Sequence, residues 1–391
     1  MMTRSNITTL CRPEVRSLPT YNAGASIASV RTKYSLDRIT KLASNENPYG
    51  ASPDAIQALR ESLGQLALYP DPRCTALCEE IERQTGVASN RILFGNGSET
   101  LIEMICLAVL SAGDRVVTMA PAFGLHEIFS LMMGAVVEKV PVDKQQEFDL
   151  EAWETALVGR AKLVMFSNPS NPVGCCLSST QFRELIDFVP ADTLIVVDEA
   201  YGEYAVGDGY PDSISLLSAQ SKPWIVLRTM SKAYGLAGLR VGYAIASEPA
   251  LVAILRKVQT PFSVNFAAQA AALAALKDRE HLRSVVDSTR LERASMRANI
   301  ERLNRERNFG LRVAPSRANF IFIDTGRSSR VLAQQLMRRG VIIKPWVESG
   351  FDTSIRVTVG RRGENQHFFK ALVEVLEATP LNDQANTRVL P

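Results

Sequence analysis

Six short apolar segments, each followed by a polar or glycine-containing turn, constrain the fold of this chain most strongly. They span residues 91–94, 115–119, 162–166, 194–197, 224–227 and 242–245. Their residues are apolar rather than alternating, which is typical of strands buried on both faces of a mostly parallel sheet. Helical patterns lie between them, for example at 101–110 and 180–188. This alternation of strands and helices predicts an α/β fold.

The length of the chain predicts more than one domain, because 391 residues exceed the roughly 250–300 at which a single core stops growing. After Pro261 the pattern changes to an alanine-rich helix, a long charged helix and short strands around a further helix. We expect a large domain at 41–278, with a mostly parallel sheet flanked by helices, and a smaller α+β domain at 279–378. Residues 1–40 should pack on the small domain or on a partner subunit, and residues 379–391 should form a flexible tail.

Charge and composition argue against several classes of protein. The net charge is only +3, and no dense Lys/Arg patch with interleaved aromatic residues indicates nucleic-acid binding. No segment has the roughly 18–20 apolar residues of a membrane span, and the N-terminus lacks the apolar core of a secretory signal. The six cysteines and three histidines lack the spacing of a metal site. We therefore expect a cytoplasmic protein without a metal.

Lys232 is the residue whose surroundings point most clearly to chemistry. It lies just past an apolar strand among small and hydroxyl residues, although a lone lysine is more simply a solvated one. Asp198 ends another apolar strand, and ligands of open α/β sheets bind outside the carboxyl ends of the strands. A carboxylate there is costly unless paired or functional, and it would keep the ring nitrogen of pyridoxal phosphate (PLP) protonated. Together they suggest that Lys232 carries PLP.

Three further side chains lie at positions suited to the ring of this cofactor. The phenol of Tyr201 and the amide of Asn171 would donate to the ring oxygen beside Lys232, although Asn171 lies between two prolines and would also suit the turn alone. Phe123 follows another strand and would stack on the ring, although simple packing is the commoner role of a loop aromatic.

The phosphate of the cofactor would bind where the segment GNGSET, residues 95–100, begins a helix. Gly97 allows a close backbone approach, Ser98 is predicted as the N-cap, and free N–H groups at a helix N-terminus bind anions. The segment fits neither a dinucleotide fingerprint nor a P-loop. Further bonds to the phosphate would come from Arg240, Thr229 and Ser231.

As they stand, these motifs resemble the fold-type I PLP-dependent aminotransferases and, within them, the histidinol-phosphate aminotransferase family. The resemblance covers nearly the whole chain, through LPTYNAG, SNENPYG, LYPDP, GNGSET, SNPSNPVG, VVDEAY, SKAYGLAGLR, GVIIKPW and IRVTVG in the order of the family. The lysine and SNENP segments are specific, whereas the glycine turn is not. The resemblance implies an amine donor and a 2-oxo acid as substrates, with L-histidinol phosphate and 2-oxoglutarate giving imidazole acetol phosphate and L-glutamate.

The resemblance also implies a role for each matching residue. Lys232, Asp198 and Tyr201 would be catalytic, and Lys232 would move the proton. The cofactor would be bound by Gly97, Ser98, Glu99, Phe123, Asn171, Asp198, Tyr201, Thr229, Ser231, Lys232 and Arg240, and by Tyr69 of the partner subunit in a homodimer with shared active sites. The substrate would be bound by Arg356, Lys344, Tyr21 and Asn45. Glu99 is an acid beside a phosphate site, so we expect its side chain to turn away.

One departure from the family concerns the substrate. The family usually has an arginine where this chain has Lys344, and an ammonium group lacks the planar fork that a guanidinium offers to oxyanions. Trp346 nearby would favour an aromatic side chain, although packing is its simpler role. Two alternatives therefore stay open. One is an aminotransferase for aromatic or other amino acids, and the other is a PLP-dependent decarboxylase of a phosphorylated amino acid.

Overall fold

The structure is a computed structural model that describes residues 7–22, 24–207 and 209–379. Its strands form two sheets. The strands are β1 (Thr40–Leu42), β2 (Ile92–Gly95), β3 (Arg115–Ala120), β4 (Val136–Pro141), β5 (Leu163–Ser167), β6 (Leu194–Asp198), β7 (Trp224–Thr229), β8 (Gly242–Ala246), β9 (Arg312–Val313), β10 (Phe320–Asp324), β11 (Val341–Pro345) and β12 (Ser354–Thr358).

Helices cover both faces of the larger sheet and one side of the smaller one. They are α1 (Pro13–Arg16), α2 (Ile27–Tyr34), α3 (Pro53–Ser62), α4 (Thr75–Thr85), α5 (Ser98–Val109), α6 (Gly124–Met132), α7 (Leu150–Leu157), α8 (Ser179–Phe188), α9 (Gly202–Ala205), α10 (Ser213–Ser218), α11 (Pro249–Val258), α12 (Phe266–Lys277), α13 (Arg279–Arg307), α14 (Ser329–Arg338) and α15 (Arg362–Ala378). None of these described helices combines the length and the hydrophobicity that a membrane span requires.

The larger sheet has the strand order β2-β8-β7-β6-β5-β3-β4 in the described chain. Strands β3 to β7 run parallel, whereas β8 is antiparallel to both of its neighbours. Large buried side chains cover one face, among them Trp153 and Phe182, and the apolar side of α5 covers the other. Burial on both faces explains the uninterrupted apolar runs, and the predicted α/β class with a mostly parallel sheet is confirmed.

Strand β4 is absent from the six strands that the sequence predicts. It pairs only with β3 at the edge of the sheet, where Val136 is exposed and Lys139 interrupts the apolar pattern. An edge strand has one neighbour and needs no continuous hydrophobic run. The apolar-run criterion therefore detects the central strands and misses this one.

The smaller sheet has the order β1-β11-β12-β10-β9. Strand β1 pairs in parallel with β11, with Thr40 opposite Val341, so the chain near residue 40 adds a strand to the sheet of the C-terminal half. This strand crosses the predicted boundary between residues 40 and 41. Helix α1 instead contacts α6, where the Arg12 side chain donates to Met132 O at 2.6 Å. The division into 41–278 and 279–378 stays a prediction, and residues 380–391 of the predicted tail lie outside the described residues.

Candidate active site

A cavity of about 650 Å³ lies where the parallel strands end and the smaller sheet begins. Asp198 and Thr229 are the last residues of β6 and β7, so both side chains lie at the carboxyl edge of the larger sheet. Apart from Gly97 and Tyr69, every predicted site residue lines the cavity. These are Tyr21, Asn45, Ser98, Glu99, Phe123, Asn171, Asp198, Tyr201, Thr229, Ser231, Lys232, Arg240, Lys344 and Arg356.

Lys232 extends its amine into this cavity from the loop after β7. Its Nζ donates a hydrogen bond to Ser44 O at 3.2 Å and lies 5.8 Å from the centroid of the Tyr201 ring. Burial, followed by the positive charge of Arg356, lowers the pKa of Lys232 to about 8. More of this amine is therefore neutral near neutral pH than in an ordinary lysine, and the neutral amine is the form that adds to a carbonyl group.

Asp198 is held in place by its neighbours at the end of β6. Its Oδ1 accepts a hydrogen bond from Ala200 N at 3.0 Å, and its Oδ2 lies 3.3 Å from Nε2 of the buried His126. The other ring nitrogen of His126 has no partner among the described residues. Because Nε2 can donate to the carboxylate, His126 fixes the direction in which Asp198 faces the cavity.

Sequence reasoning did not assign a role to His126. It lies three residues after Phe123, about one helical turn along α6, and the two rings meet edge to face with centroids 5.7 Å apart. That spacing from a predicted ring-stacking residue is the only signal in the sequence. The contact with Asp198, 72 residues away, requires the fold.

Tyr201 presents a protonated phenol to the cavity. Its hydroxyl accepts a hydrogen bond from Asn45 Nδ2 at 2.9 Å, and burial raises its pKa to about 12. Asn45 is held by Thr358 at the end of β12, which accepts from Asn45 N at 2.9 Å and donates to Asn45 Oδ1 at 3.2 Å. Since the phenol oxygen accepts from Asn45, its own proton is available to a ligand.

Arg356 connects the smaller sheet with the turn that follows β5. Its guanidinium donates to Asn171 Oδ1 at 2.6 Å and to Ala43 O at 2.7 Å, whereas its buried Nε has no partner among the described residues. In the sheet it lies opposite Lys344, whose Nζ donates to Asn22 O at 2.6 Å. These two cations on neighbouring strands therefore lie in the same cavity wall, and we call Lys344 and Arg356 the anion-binding wall, after the role that we propose for them.

The start of α5 differs from the prediction that Ser98 is its N-cap. The N-cap is Gly97, at a φ of +82°, and Ser98 is the first helical residue. A Cβ at Gly97 would lie 2.6 Å from an Arg240 guanidinium nitrogen, and one at Gly242 would lie 2.3 Å from Ser98 N. The positive φ favours glycine at residue 97, whereas at residue 242 the backbone of Ser98 leaves no room for a side chain. No side chain caps the first N–H groups of the helix.

Around this helix start lie the hydroxyl and cationic groups that the sequence predicts. Arg240 donates to Ser231 Oγ at 3.3 Å, and Thr229 Oγ1 accepts from Ser231 N at 3.2 Å. The expectation that Glu99 turns away is wrong, because its carboxylate lies 3.5 Å from the Arg240 guanidinium. Glu99 therefore pairs with the same cation that an incoming phosphate would use.

Tyr69 lies apart from this cavity. It is 81% exposed and stacks on Phe262 with ring centroids 4.5 Å apart. The fold of its own chain therefore does not bring Tyr69 to the predicted phosphate site.

Phe123, by contrast, lines the cavity. Its ring meets that of Tyr21 edge to face, with ring centroids 6.3 Å apart.

The chain matches the model of the family "Aminotransferase class I and II" over residues 37–372. It is 45% identical to histidinol-phosphate aminotransferase 3 of Rhizobium meliloti, over 93% of this chain and 97% of the relative. It is also 45% identical to histidinol-phosphate aminotransferase 1 of Mesorhizobium japonicum, over 95% of this chain and 100% of that one.

A solved structure gives the same result. The crystal structure of histidinol-phosphate aminotransferase from Sinorhizobium meliloti in complex with pyridoxal-5'-phosphate superimposes with a TM-score of 0.84 at 29% identity. The match covers 95% of this chain and 98% of that structure. The chain therefore belongs to the class I and II aminotransferases and, within them, to the family of the histidinol-phosphate aminotransferases.

Proposed function

We propose that this aminotransferase binds PLP through Lys232 and transfers the amino group of L-histidinol phosphate to 2-oxoglutarate, giving imidazole acetol phosphate and L-glutamate. The observation that carries the proposal is the cavity in which a lysine with a pKa of about 8 meets Asp198 and the paired cations Arg356 and Lys344. The two relatives and the solved structure that bear this enzyme's name support the choice of substrate.

The groups at the helix start fit the phosphate of PLP. An anion site would form where α5 begins, because its first N–H groups are uncapped and the Arg240 guanidinium lies close to Gly97. Hydroxyl groups of Ser98, Thr229 and Ser231 would complete it. Glu99 would have to yield Arg240 to the phosphate, which is feasible because the Glu99 side chain is half exposed.

The remaining cavity residues would bind the ring. Asp198, oriented by His126, would hold a proton on the ring nitrogen, and PLP then withdraws electrons from the carbon that loses its proton. Tyr201 and Asn171 would donate to the ring oxygen, the former through its free O–H and the latter through the amide nitrogen that Arg356 leaves unused. Phe123 would cover one face of the ring.

Lys232 would have two tasks. In the resting enzyme it would hold the cofactor, and the incoming amine would displace it. Because its pKa is lowered to about 8, more of the released amine would be neutral than in an ordinary lysine, and the neutral form would accept the proton from the donor Cα. Lys232 would also give this proton back, and amino transfer would be complete only after water has released the keto product and 2-oxoglutarate has taken up the amino group.

The charge of the anion-binding wall favours a phosphorylated donor. Arg356 and Lys344 lie opposite each other, and a phosphate monoester carries about −1.5 to −2 charges at neutral pH, whereas a carboxylate carries one. A single arginine would suffice for a carboxylate. Lys344 thus supplies charge where the family usually has arginine, although without bidentate geometry.

We also propose a homodimer with shared active sites in the cytoplasm. Large apolar side chains are exposed beside Tyr69, which is the pattern of a covered surface. The exposed residues are Leu63, Leu66, Leu68, Tyr69 and Phe262. In the dimer, Tyr69 of the partner subunit would reach the phosphate.

The state of the cysteines supports the proposed compartment. All six cysteines are free thiols, which suits the reducing cytoplasm.

The proposal is tested by incubating the PLP-loaded protein with 2-oxoglutarate and L-histidinol phosphate and measuring L-glutamate. Glutamate formation that depends on both substrates supports it. Release of CO₂ from a phosphorylated amino acid without a 2-oxo acid would instead indicate the decarboxylase alternative. Glutamate formed from L-phenylalanine but not from L-histidinol phosphate would indicate an amino-acid aminotransferase.

A further inference from the structure

A charged cluster in the cavity wall bridges the two sheets. Lys139 Nζ lies 2.7 Å from Glu127 Oε2 and 3.2 Å from Glu348 Oε1. Lys139 belongs to β4 and Glu127 to α6, whereas Glu348 follows β11 of the smaller sheet. All three residues line the cavity, and their side chains are between 25% and 34% exposed. We call Glu127, Lys139 and Glu348 the Lys139 triad; neither the sequence motifs nor the proposed chemistry accounts for it.

Both carboxylate and ammonium groups of the Lys139 triad have capacity for a ligand. Glu348 is fixed at both oxygens, since Oε1 faces Lys139 and Oε2 accepts from Trp346 Nε1 at 3.2 Å. Each carboxylate oxygen has two lone pairs and can accept another hydrogen bond. An ammonium group has three donors, of which the two glutamates occupy two.

Lys139 remains charged at neutral pH. Burial by itself would lower its pKa, but the hydrogen bond and ion pair with Glu127 and the charge of Glu348 outweigh burial and raise it. The triad therefore offers one positive and two negative groups at the same place. Such a mixed site can pair with ligands of either sign, which a lone carboxylate or a lone lysine cannot.

The triad lies within reach of the far end of a substrate bound at the anion-binding wall. Glu348 is four residues after Lys344, which limits the span between their Cα atoms to about 14 Å. The triad and the anion-binding wall line the same cavity. A substrate whose anionic group contacts Lys344 and Arg356 can therefore extend its side chain towards the triad. Trp346, between them in sequence, also lines this part of the cavity.

An aminotransferase with the proposed function must accept two different side chains in turn. The imidazole of the amine donor presents an N–H group, whereas the 2-oxo acid presents a second carboxylate. We propose that the Lys139 triad is the specificity-determining group for both side chains. Glu127 and Glu348 accept the hydrogen bond of the imidazole, and Lys139 pairs with the distal carboxylate of 2-oxoglutarate or L-glutamate. This inference rests on the proposed function.

Two substitutions separate these roles in half-reactions of the PLP-loaded enzyme with a single amine. Lys139→Gln keeps an amide that can hydrogen-bond to both glutamates but removes the charge. It should lower the second-order rate constant for L-glutamate by about tenfold or more and that for L-histidinol phosphate by less than about threefold. Glu348→Gln should do the reverse, with about a tenfold loss for L-histidinol phosphate and little loss for L-glutamate.

Glu301→Gln is the matched control, because Glu301 forms an exposed ion pair with Arg297 on α13, at 3.2 Å. Equal losses for both amines in each variant, or rates indistinguishable from this control, would overturn the inference. Wild-type protein that does not react with L-histidinol phosphate would overturn the proposed function instead. The glutamate rate of Lys139→Gln would still test the role of Lys139 in that case.

Discussion

The Arg356 guanidinium donates a hydrogen bond of 2.6 Å to Asn171 Oδ1 and so joins the anion-binding wall to the turn after β5, which we propose to contact the cofactor ring. The bond orients the Asn171 amide, because an oxygen engaged with Arg356 turns the amide nitrogen towards the cavity. Both residues are at least 90% buried. The group that we propose to bind the substrate anion and the group that we propose to contact the ring therefore position each other.

Replacing Asn171 with alanine should weaken both functions at once. The substitution leaves a buried guanidinium N–H without its acceptor and removes a donor to the ring oxygen, and losing one such bond costs about 1–3 kcal/mol. We expect kcat/KM to fall by at least about tenfold and the pH dependence of the cofactor absorbance to shift. Asn299→Ala, at a partly exposed position of α13 outside the cavity, is the control. An unchanged spectrum together with unchanged kinetics would contradict this coupling.

Lys232→Ala should abolish turnover and the covalent attachment of the cofactor. Wild-type protein treated with PLP and then reduced with borohydride should gain the mass of one reduced cofactor per chain, whereas the variant should gain none. Lys222, whose amine donates to Ile186 O at 2.6 Å outside the cavity, supplies the control Lys222→Ala. A Lys232→Ala enzyme with near-wild-type rates would refute the assignment of the cofactor lysine.

The low pKa of Lys232 predicts how cofactor attachment depends on pH. Burial and Arg356 lower the pKa from 10.5 to about 8, so the neutral amine becomes abundant at a lower pH than in an ordinary lysine. The rate at which cofactor-free protein takes up PLP should rise with pH and level off above about 8. The reaction of N-acetyl-lysine with PLP in the same buffers corrects for titration of the cofactor. A rate that keeps rising towards pH 10.5 would show that the lysine is not perturbed.

Asp198→Ala should slow proton removal from the donor Cα by at least about a hundredfold, since electrostatic groups aimed at developing charge have effects of this size. Stopped-flow absorbance of the cofactor would measure this step.

His126→Asn should give a smaller loss in kcat with little change in KM, because His126 acts only by positioning Asp198. Equal losses in the two variants would show that His126 does more than orient the carboxylate.

Much of the fold follows from the sequence because apolar runs report burial directly. The central strands are predicted within one or two residues. Asp198 ends β6 as expected, whereas Thr229, which lies beyond the predicted strand at 224–227, is the last residue of β7. Edge strand β4 escapes the criterion, because Val136 is exposed and pairing with β3 needs no apolar run.

Sequence reasoning predicts a site residue when that residue lies within a recognisable local motif, as Lys232 and Asp198 do. Long-range contacts are not predictable, because no local pattern records that His126 meets Asp198 or that Glu348 meets Lys139. The N-cap prediction failed for a local reason. Ser98 has the preferred chemistry of an N-cap, but the N-cap is residue 97, whose φ of +82° favours glycine, and Ser98 is the first helical residue.

The most direct test of the account compares kcat/KM for L-histidinol phosphate and L-phenylalanine, with 2-oxoglutarate as acceptor and L-glutamate as the measured product. The paired cations Arg356 and Lys344 predict a preference for the phosphorylated donor of more than about tenfold, equivalent to about 1.4 kcal/mol of transition-state stabilisation. A preference for L-phenylalanine would contradict the account and would make Lys344 the first residue to examine.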